Sequence, residues 1–165
     1  MAGQSHHILD TPVFDEPVSI AIVVAPYYHD IASNLIAGAV AELEKAGATH
    51  EIIEVPGALE IAPAIGIAAR MADFAGFVAL GCVIRGETTH YDTVCNDSSR
   101  GLQLLGLQGV CIGNGILTVE NHEQAMVRAD PADQNKGGGA AAAALHLIAL
   151  SRRLKTKGKG KGIGF

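Results

Sequence analysis

The residues best suited to chemistry lie together in one short segment, Gly86-Glu87-Thr88-Thr89-His90. The segment follows an apolar run and precedes a helical pattern, so we expect a loop that leads into a helix N-terminus. Free backbone N–H groups and the helix dipole favour an anion there, and the threonine hydroxyls add donors. His90 can act as a general acid or base. A plain threonine N-cap and a bystander histidine explain the same residues, so the segment alone leaves both interpretations open.

Four further side chains can bind ligands from other segments. Arg128 has the planar guanidinium that clamps phosphate, although a cation also suits the end of its helix. Lys136 follows the break at Asp130-Pro131, and it is either a ligand or a solvated loop lysine. Glu60 can accept hydrogen bonds from the hydroxyls of a polyol or can cap its helix. Tyr27 offers either packing at a rim or a stacking face for a planar heterocycle.

Several familiar ligand motifs are absent from the sequence. It has no GxxxxGK[ST] phosphate loop, and Ala25-Pro26-Tyr27-Tyr28 stands after the first apolar run in place of GxGxxG. No histidine pair shows metal-ligand spacing with carboxylate support, so no metal is expected. Cys82, Cys95 and Cys111 show no CxxC spacing, and an odd number of cysteines without a secretory signal predicts the reducing cytoplasm.

Alternating apolar runs and amphipathic segments predict the elements that must position these residues. Strands are predicted at 18–25, 50–55, 76–84 and 109–117, and helices at 30–47, 58–72, 92–107, 122–129 and 137–154. Gly47 is the predicted stop of the first helix, Pro63 is expected in the first turn of the second, and Asn121 is the predicted N-cap of the fourth. This alternation predicts a single three-layer α/β/α domain, flavodoxin-like, with a four-stranded parallel sheet flanked by helices. Ligands of such sheets bind beyond the carboxyl ends of the strands.

Composition and charge separate the body of the chain from its ends. The 165 residues are 48% hydrophobic and 18% charged, as expected for one folded domain. Residues 152–165 hold six basic residues and no acidic one, whereas the rest holds 6 basic and 17 acidic residues. The acidic body argues against a nucleic-acid partner, and no apolar stretch reaches the ~20 residues of a membrane span. We therefore expect a flexible arm at 1–17, the folded domain at 18–154 and a disordered basic Gly/Lys tail at 155–165.

Four stretches, taken together and in order, resemble the 6,7-dimethyl-8-ribityllumazine synthases, which catalyse the penultimate step of riboflavin biosynthesis. They are VPGALEI (55–61), GCVIRGETTHYDTVCN (81–96), GILTVENHEQAMVRA (115–129) and NKGGGAA (135–141). The second stretch is the most specific, with VIRGxTxHxDxV after the third predicted strand. The resemblance covers about residues 18 to 150 and leaves out the N-terminal arm and the basic tail.

The resemblance implies an enzyme that condenses 5-amino-6-(D-ribitylamino)uracil with 3,4-dihydroxy-2-butanone 4-phosphate and releases phosphate and water. The amine of the substrate is the nucleophile, so the protein supplies proximity, an anion pocket and proton transfer. No cofactor or metal is implied. The family also implies a homopentamer whose active sites lie at subunit interfaces, with further assembly left open.

The resemblance assigns a role to each candidate residue. His90 would transfer protons, and Glu87, Thr88 and Arg128 would bind phosphate. The aminouracil and its ribityl chain would contact Tyr27, Ala58, Leu59, Glu60, Cys82, Val83, Ile84, Asn114 and Lys136. Asn114 departs from the phenylalanine of many family members, so it can hydrogen-bond but cannot supply the apolar wall that the next subunit donates.

Other function classes fit parts of the pattern. A non-catalytic paralogue that binds lumazine or flavin would not need His90, Arg128 and the loop at 86–90 together. An oligomeric scaffold would not need an intact phosphate site. A flavodoxin-like electron carrier would want a hydroxyl-rich loop after the first strand, which APYYHD (25–30) does not provide. The joint presence of these residues therefore favours the enzyme.

Overall fold

A computed structural model describes residues 8–159, in which strands and helices alternate along the chain. The strands are β1 (Ser19–Val24), β2 (Thr49–Glu54), β3 (Gly76–Ile84) and β4 (Ile112–Val119). The helices are α1 (His29–Lys45), α2 (Ala58–Met71), α3 (His90–Leu107), α4 (His122–Ala129) and α5 (Lys136–Lys159). Each predicted element is present, and the predicted α/β fold is confirmed.

The sheet is parallel throughout, with the strand order β2-β1-β3-β4. One face packs on α2 and α3 through a cluster that includes Ile61, Ile65 and Leu102. The other face packs on α1, α4 and α5 through a larger cluster that includes Leu35 and Leu145. The strand order reverses between β1 and β3, so the loops that follow these two strands lead to opposite faces. Ligand sites of open α/β sheets lie at this point, outside the strand ends.

Two predicted helix signals are confirmed in atomic detail. Gly47 adopts a φ of 71° after α1, and Ala48 N–H donates to the Leu43 carbonyl at 2.9 Å, as in a Schellman cap. Asn121 Oδ1 accepts from the Gln124 N–H at 2.9 Å at the start of α4. The Gln124 side chain accepts in return from Glu120 N–H, one residue earlier than a capping box prescribes.

Most predicted boundaries are shifted by one or more residues, and three features differ in a way that has a physical reason. Pro63 is the sixth residue of α2, not a first-turn residue, because the helix begins at Ala58 directly after Gly57. The missing N–H of Pro63 leaves the Leu59 carbonyl without its helical donor. Helix α3 begins at 90 rather than 92, and β4 begins at 112 rather than 109. The late start of β4 follows from Gly109, whose φ of 93° turns the chain back against the end of α3.

Both ends of the domain extend beyond the predicted body. Helix α5 continues to Lys159, so residues 155–159 are helical rather than a disordered tail. Lysine and arginine have good helix propensity, and Arg152 anchors this last part by donating to the carbonyls of Glu16 and Pro17 at 3.1 and 2.9 Å. Phe14 of the arm packs against the larger core cluster. Residues 1–7 and 160–165 of the predicted arm and tail lie outside the described residues.

No described helix is both long and apolar enough to cross a bilayer.

Candidate functional site

A hollow of about 310 Å³ lies at the carboxyl ends of β1 and β3, where the strand order reverses. We call it the strand-end hollow. Its lining includes eight of the predicted site residues: Tyr27, Ala58, Leu59, Glu60, Cys82, Val83, Ile84 and His90. They come from four separate segments of the chain, which the sheet topology brings to one place. The structure therefore brings these eight residues together beyond the strand ends, where the sequence analysis expects a ligand to bind.

Two consecutive tyrosines form one wall of the strand-end hollow. The side chain of Tyr27 is 74% exposed, whereas Tyr28 is half-buried against the core. Their ring centroids lie 5.0 Å apart at an interplanar angle of 71°, an edge-to-face contact. Burial, together with Tyr27 and Cys82, raises the pKa of Tyr28, so its phenol is neutral at pH 7. Sequence reasoning missed Tyr28, although a second aromatic residue directly after β1 was a visible signal.

The end of β3 contributes the floor of the hollow. Cys82, Val83 and Ile84 are half-buried and continue the ladder with β4. Burial, with a smaller contribution from Asp30, raises the pKa of the Cys82 thiol to about 11. The thiol is therefore protonated at neutral pH and is a poor nucleophile. These residues can shape the hollow and offer backbone groups, but they do not supply covalent chemistry.

The loop 86–89 leaves β3 and enters α3, with His90 as the first helical residue. Thr89 is the N-cap, and its hydroxyl makes no capping hydrogen bond. The Thr88 hydroxyl accepts from His90 N–H at a long 3.4 Å. Within residues 8–159 the N–H groups of Glu87, Thr88 and Thr89 donate to no backbone carbonyl. The loop thus has free backbone donors of the kind that bind an anion, and Thr89 occupies the N-cap position without making a capping hydrogen bond.

Three predicted site residues lie elsewhere, in a second hollow of about 450 Å³ between β4 and α5. Asn114, Arg128 and Lys136 line this edge hollow, with neighbouring residues of both elements. Arg128 Nη1 donates to the Gln124 carbonyl at 3.0 Å. The other N–H donors of the guanidinium group remain available to a ligand. Lys136 is exposed at the start of α5. The structure therefore divides eleven of the thirteen predicted residues between two hollows, and Glu87 and Thr88 line neither hollow.

Asn114 has a structural contact that the sequence did not suggest. Its Oδ1 accepts from the backbone N–H of Ile116 at 3.0 Å. Because β4 is an outer strand, its free edge carries N–H groups without a strand partner. The asparagine side chain satisfies one of them, which a phenylalanine at this position cannot do.

A charged cluster beside the loop was also missed by sequence reasoning. Arg85 Nε lies 2.7 Å from Glu120 Oε2, and its guanidinium stands 4.2 Å from the centre of the Tyr91 ring. Asp92 Oδ1 lies 3.8 Å from Arg85 Nη1. The hydrogen bond with Glu120 raises the pKa of Arg85 above its ordinary value. The sequence alone gave no signal for this pair, because it depends on the register that places Ile84 opposite Val119.

The assembled groups define what the site can do. The strand-end hollow can hold a planar ring beside Tyr27, with His90 near it as a proton donor or acceptor. The loop 86–89 and Arg128 are suited to a phosphate group. Within the part of the chain that the structure describes, no three His, Cys, Asp or Glu side chains are placed to hold a metal ion.

Comparisons with known proteins agree with this combination of groups. The family model described as 6,7-dimethyl-8-ribityllumazine synthase matches residues 17–152. A 6,7-dimethyl-8-ribityllumazine synthase of Jannaschia sp. is 59% identical over 140 residues, which cover 85% of this chain and 79% of the relative. The synthase of the same name from Novosphingobium aromaticivorans is 54% identical over 119 residues, which cover 72% and 86%. A relative from Rhizobium meliloti, 6,7-dimethyl-8-ribityllumazine synthase 1, is 52% identical over 129 residues, which cover 74% and 84%.

Proposed function

The chain belongs to the 6,7-dimethyl-8-ribityllumazine synthase family, and we propose that it carries out this reaction in the site described above. It joins 5-amino-6-(D-ribitylamino)uracil to 3,4-dihydroxy-2-butanone 4-phosphate and releases phosphate and water. The observation that carries the proposal is the strand-end hollow, which gathers His90, the exposed ring of Tyr27 and Glu60 from three segments.

Different residues of this chain have different roles in the proposed reaction. Tyr27 stacks on the pyrimidine, and Glu60 at the start of α2 accepts hydrogen bonds from the ribityl hydroxyls. The amine of the aminouracil attacks the ketone, water leaves, and an imine forms. Phosphate is then eliminated, the resulting enol becomes a ketone, and the ribityl-bearing nitrogen attacks this carbonyl and closes the ring with loss of a second water. His90 moves protons between the reacting groups during these steps. No covalent bond to the protein is needed, which agrees with the protonated thiol of Cys82.

The phosphate group binds to the loop 86–89 and to Arg128. The free N–H groups of the loop and the Thr88 hydroxyl supply neutral donors at the start of α3. Arg128 supplies the positive charge, and Lys136 lines the same edge hollow. Phosphate is the leaving group, so these donors stabilise the charge that develops as it departs.

The protein forms a homopentamer in which neighbouring subunits complete each site. The division of the predicted residues between two hollows supports this, since each hollow alone lacks part of the chemistry. An apolar groove between α3, β4 and α5 also supports association between subunits. Leu107 and Leu154 in this groove are 84% and 54% exposed, and exposed apolar patches of this kind mark interaction surfaces.

The composition without disulfides fits a cytoplasmic location.

Steady-state turnover with two site variants tests the assigned roles. The purified protein is mixed with both substrates, and lumazine absorbance is followed. We expect His90→Ala to lower kcat by about 10²- to 10⁴-fold. Arg128→Ala should raise the KM for the butanone phosphate by about 10- to 100-fold, since hydrogen bonds to a charged group contribute ~1.5–3 kcal/mol. The matched controls are His50→Ala on β2 and Arg153→Ala on α5, which line neither hollow.

Subunit mixing tests whether neighbours share each site. His90→Ala and Arg128→Ala subunits are co-expressed in equal amounts and purified as one assembly. If His90 and Arg128 of a site come from different subunits, random mixing restores about one quarter of the sites. If each chain builds its own site, no intact site forms and the mixture stays as inactive as its components. A monomer in analytical ultracentrifugation would also contradict the shared site.

A further inference from the structure

Arg85 stands at the point where the sheet passes into the proposed phosphate loop. It is the first residue after β3, and five residues later His90 begins α3. Its backbone N–H donates to the Val119 carbonyl at 3.0 Å, which extends the β3–β4 ladder by one bond. The side chain therefore leaves the backbone from a fixed position, next to the ends of two strands.

The Arg85 side chain contacts both sides of the loop 86–89. On one side, its Nε donates to Glu120 at 2.7 Å, at the exit from β4. On the other side, the guanidinium stacks over Tyr91 at 4.2 Å and lies near Asp92, both in the first turn of α3. The Arg85 side chain, at the start of the loop, thus contacts both the end of β4 and the start of α3.

The loop between these anchors has few contacts of its own. Residues 86–89 are all exposed, and in the described part of the chain the one side-chain bond within the loop region is the 3.4 Å contact from His90 N–H to Thr88. The direction of the loop N–H groups and of His90 is then set at the two ends of the loop. Arg85 is the side chain that joins these ends.

We propose that Arg85, held by Glu120, is a positioning residue that fixes the loop 86–89 and His90 for the phosphate-bearing substrate. The inference rests on the proposed function, because it concerns the same phosphate site. Arg85 acts through the loop and does not bind the phosphate itself. Glu120 at 2.7 Å and Asp92 at 3.8 Å surround its guanidinium with negative charge, which disfavours a second anion there.

Three variants separate positioning from direct binding. Arg85→Lys keeps the charge but loses the planar fork and the stacking on Tyr91. Arg85→Gln removes the charge, and Glu120→Gln releases an intact Arg85 from its anchor. If Arg85 positions the loop, all three lose about 10- to 100-fold in kcat/KM for the butanone phosphate, since small misplacements have effects of this size. The KM for the aminouracil should change less than about twofold, because the substitutions do not alter the tyrosine wall of the strand-end hollow.

Two kinetic results would overturn the positioning role of Arg85. If Glu120→Gln leaves the KM for the butanone phosphate unchanged or lowers it while both Arg85 variants raise it, Arg85 binds phosphate directly and the inference is wrong. Equal losses for both substrates, with lowered melting temperatures, would mean a merely structural role and would also overturn it. Arg100→Lys, an exposed arginine further along α3, is the control and should match the wild type. If any variant fails to fold, the remaining Arg85 or Glu120 variant gives the comparison.

A binding measurement keeps this inference separate from the proposed function. Inorganic phosphate is titrated into the wild type, into Arg85→Lys and into Glu120→Gln, with calorimetric detection. Weaker phosphate binding by Arg85→Lys and also by Glu120→Gln, which keeps the arginine, supports positioning even if the wild type shows no turnover. An inactive wild type would count against the synthase reaction alone. Turnover by the wild type with unchanged phosphate binding and KM in all variants would leave the function standing and remove the role of Arg85.

Discussion

The contact between α1 and α5 allows a sharp prediction, because it depends on a glycine with no room for a side chain. Gly137 lies in the first turn of α5, next to Lys136 of the edge hollow. A Cβ at this position would overlap the carbonyl oxygen of Leu35 and lie 2.8 Å from its carbonyl carbon. Both are backbone atoms of α1, so no side-chain rotation can relieve the overlap. Gly139 on the same helix has nothing within 4 Å of its Cβ position.

The two glycines give a matched pair of alanine variants. Carbon atoms in contact normally stand ~3.5–4.0 Å apart, so Gly137→Ala must move the helices apart by roughly 0.7 Å or more. Overpacking of a core costs about 1–3 kcal/mol, and the upper end applies where backbone meets backbone. The helix propensity of alanine returns about 1 kcal/mol, which leaves a net loss of about 2 kcal/mol. Gly139→Ala gains the propensity without the overlap, so it should stabilise by up to about 1 kcal/mol.

Urea unfolding measures both variants against the wild type at one fixed protein concentration, because subunit association adds to apparent stability. Gly137→Ala is expected to be about 3 kcal/mol less stable than Gly139→Ala. Turnover by Gly137→Ala should also fall, since the displaced helix carries Lys136. Equal stability of the two variants would refute the close approach of α1 and α5 at Leu35.

Three further predictions follow from single contacts in the structure. Tyr27→Ala should weaken aminouracil binding by about 3- to 10-fold, from the ~0.5–1.5 kcal/mol of an aromatic pair, whereas Tyr27→Phe should bind within about twofold by fluorescence titration. The Ile31 N–H, and then His122, lower the pKa of Asp30, so its contribution to stability is present above pH ~4 and is lost as the acid becomes protonated. The difference in urea unfolding between Asp30→Asn and the wild type at pH 6 should therefore shrink as the pH falls below the ordinary carboxyl value of ~4. With a thiol pKa of about 11, Cys82 should react with iodoacetamide at pH 8 much more slowly than a free cysteine peptide does, and mass spectrometry of the alkylated peptide checks this.

Local patterns were sufficient to predict the sheet and most of the helices. The continuous apolar run at 18–25 predicted a strand buried on both faces, and the five residues after Ser19 in β1 are buried. Gly47 and Asn121 were predictable as helix ends, because their roles depend on a few neighbouring residues. Pro63 was assigned to the first turn because proline normally disrupts a helix interior, although the predicted start at 58 already made it the sixth residue of α2.

Contacts between distant segments were beyond the sequence patterns. The pair of Arg85 and Glu120 depends on the register of β3 against β4, which spacing along the chain does not give. The extension of α5 to Lys159 depends on Arg152, which is anchored on carbonyls of the N-terminal arm. The separation of Arg128 from His90 into two hollows is likewise a result of chain topology. The motifs selected the candidate site residues, and the three-dimensional arrangement decided which of them meet within one chain.

Product stoichiometry is the measurement that tests the proposed reaction most directly. The wild-type protein is given both substrates at neutral pH, and lumazine and inorganic phosphate are quantified in the same samples over time. We expect the two products to form in equal amounts, well above the uncatalysed rate, with no lumazine formed when either substrate is omitted. Tight binding of lumazine without formation of either product would contradict the synthase reaction and assign this chain a binding function instead.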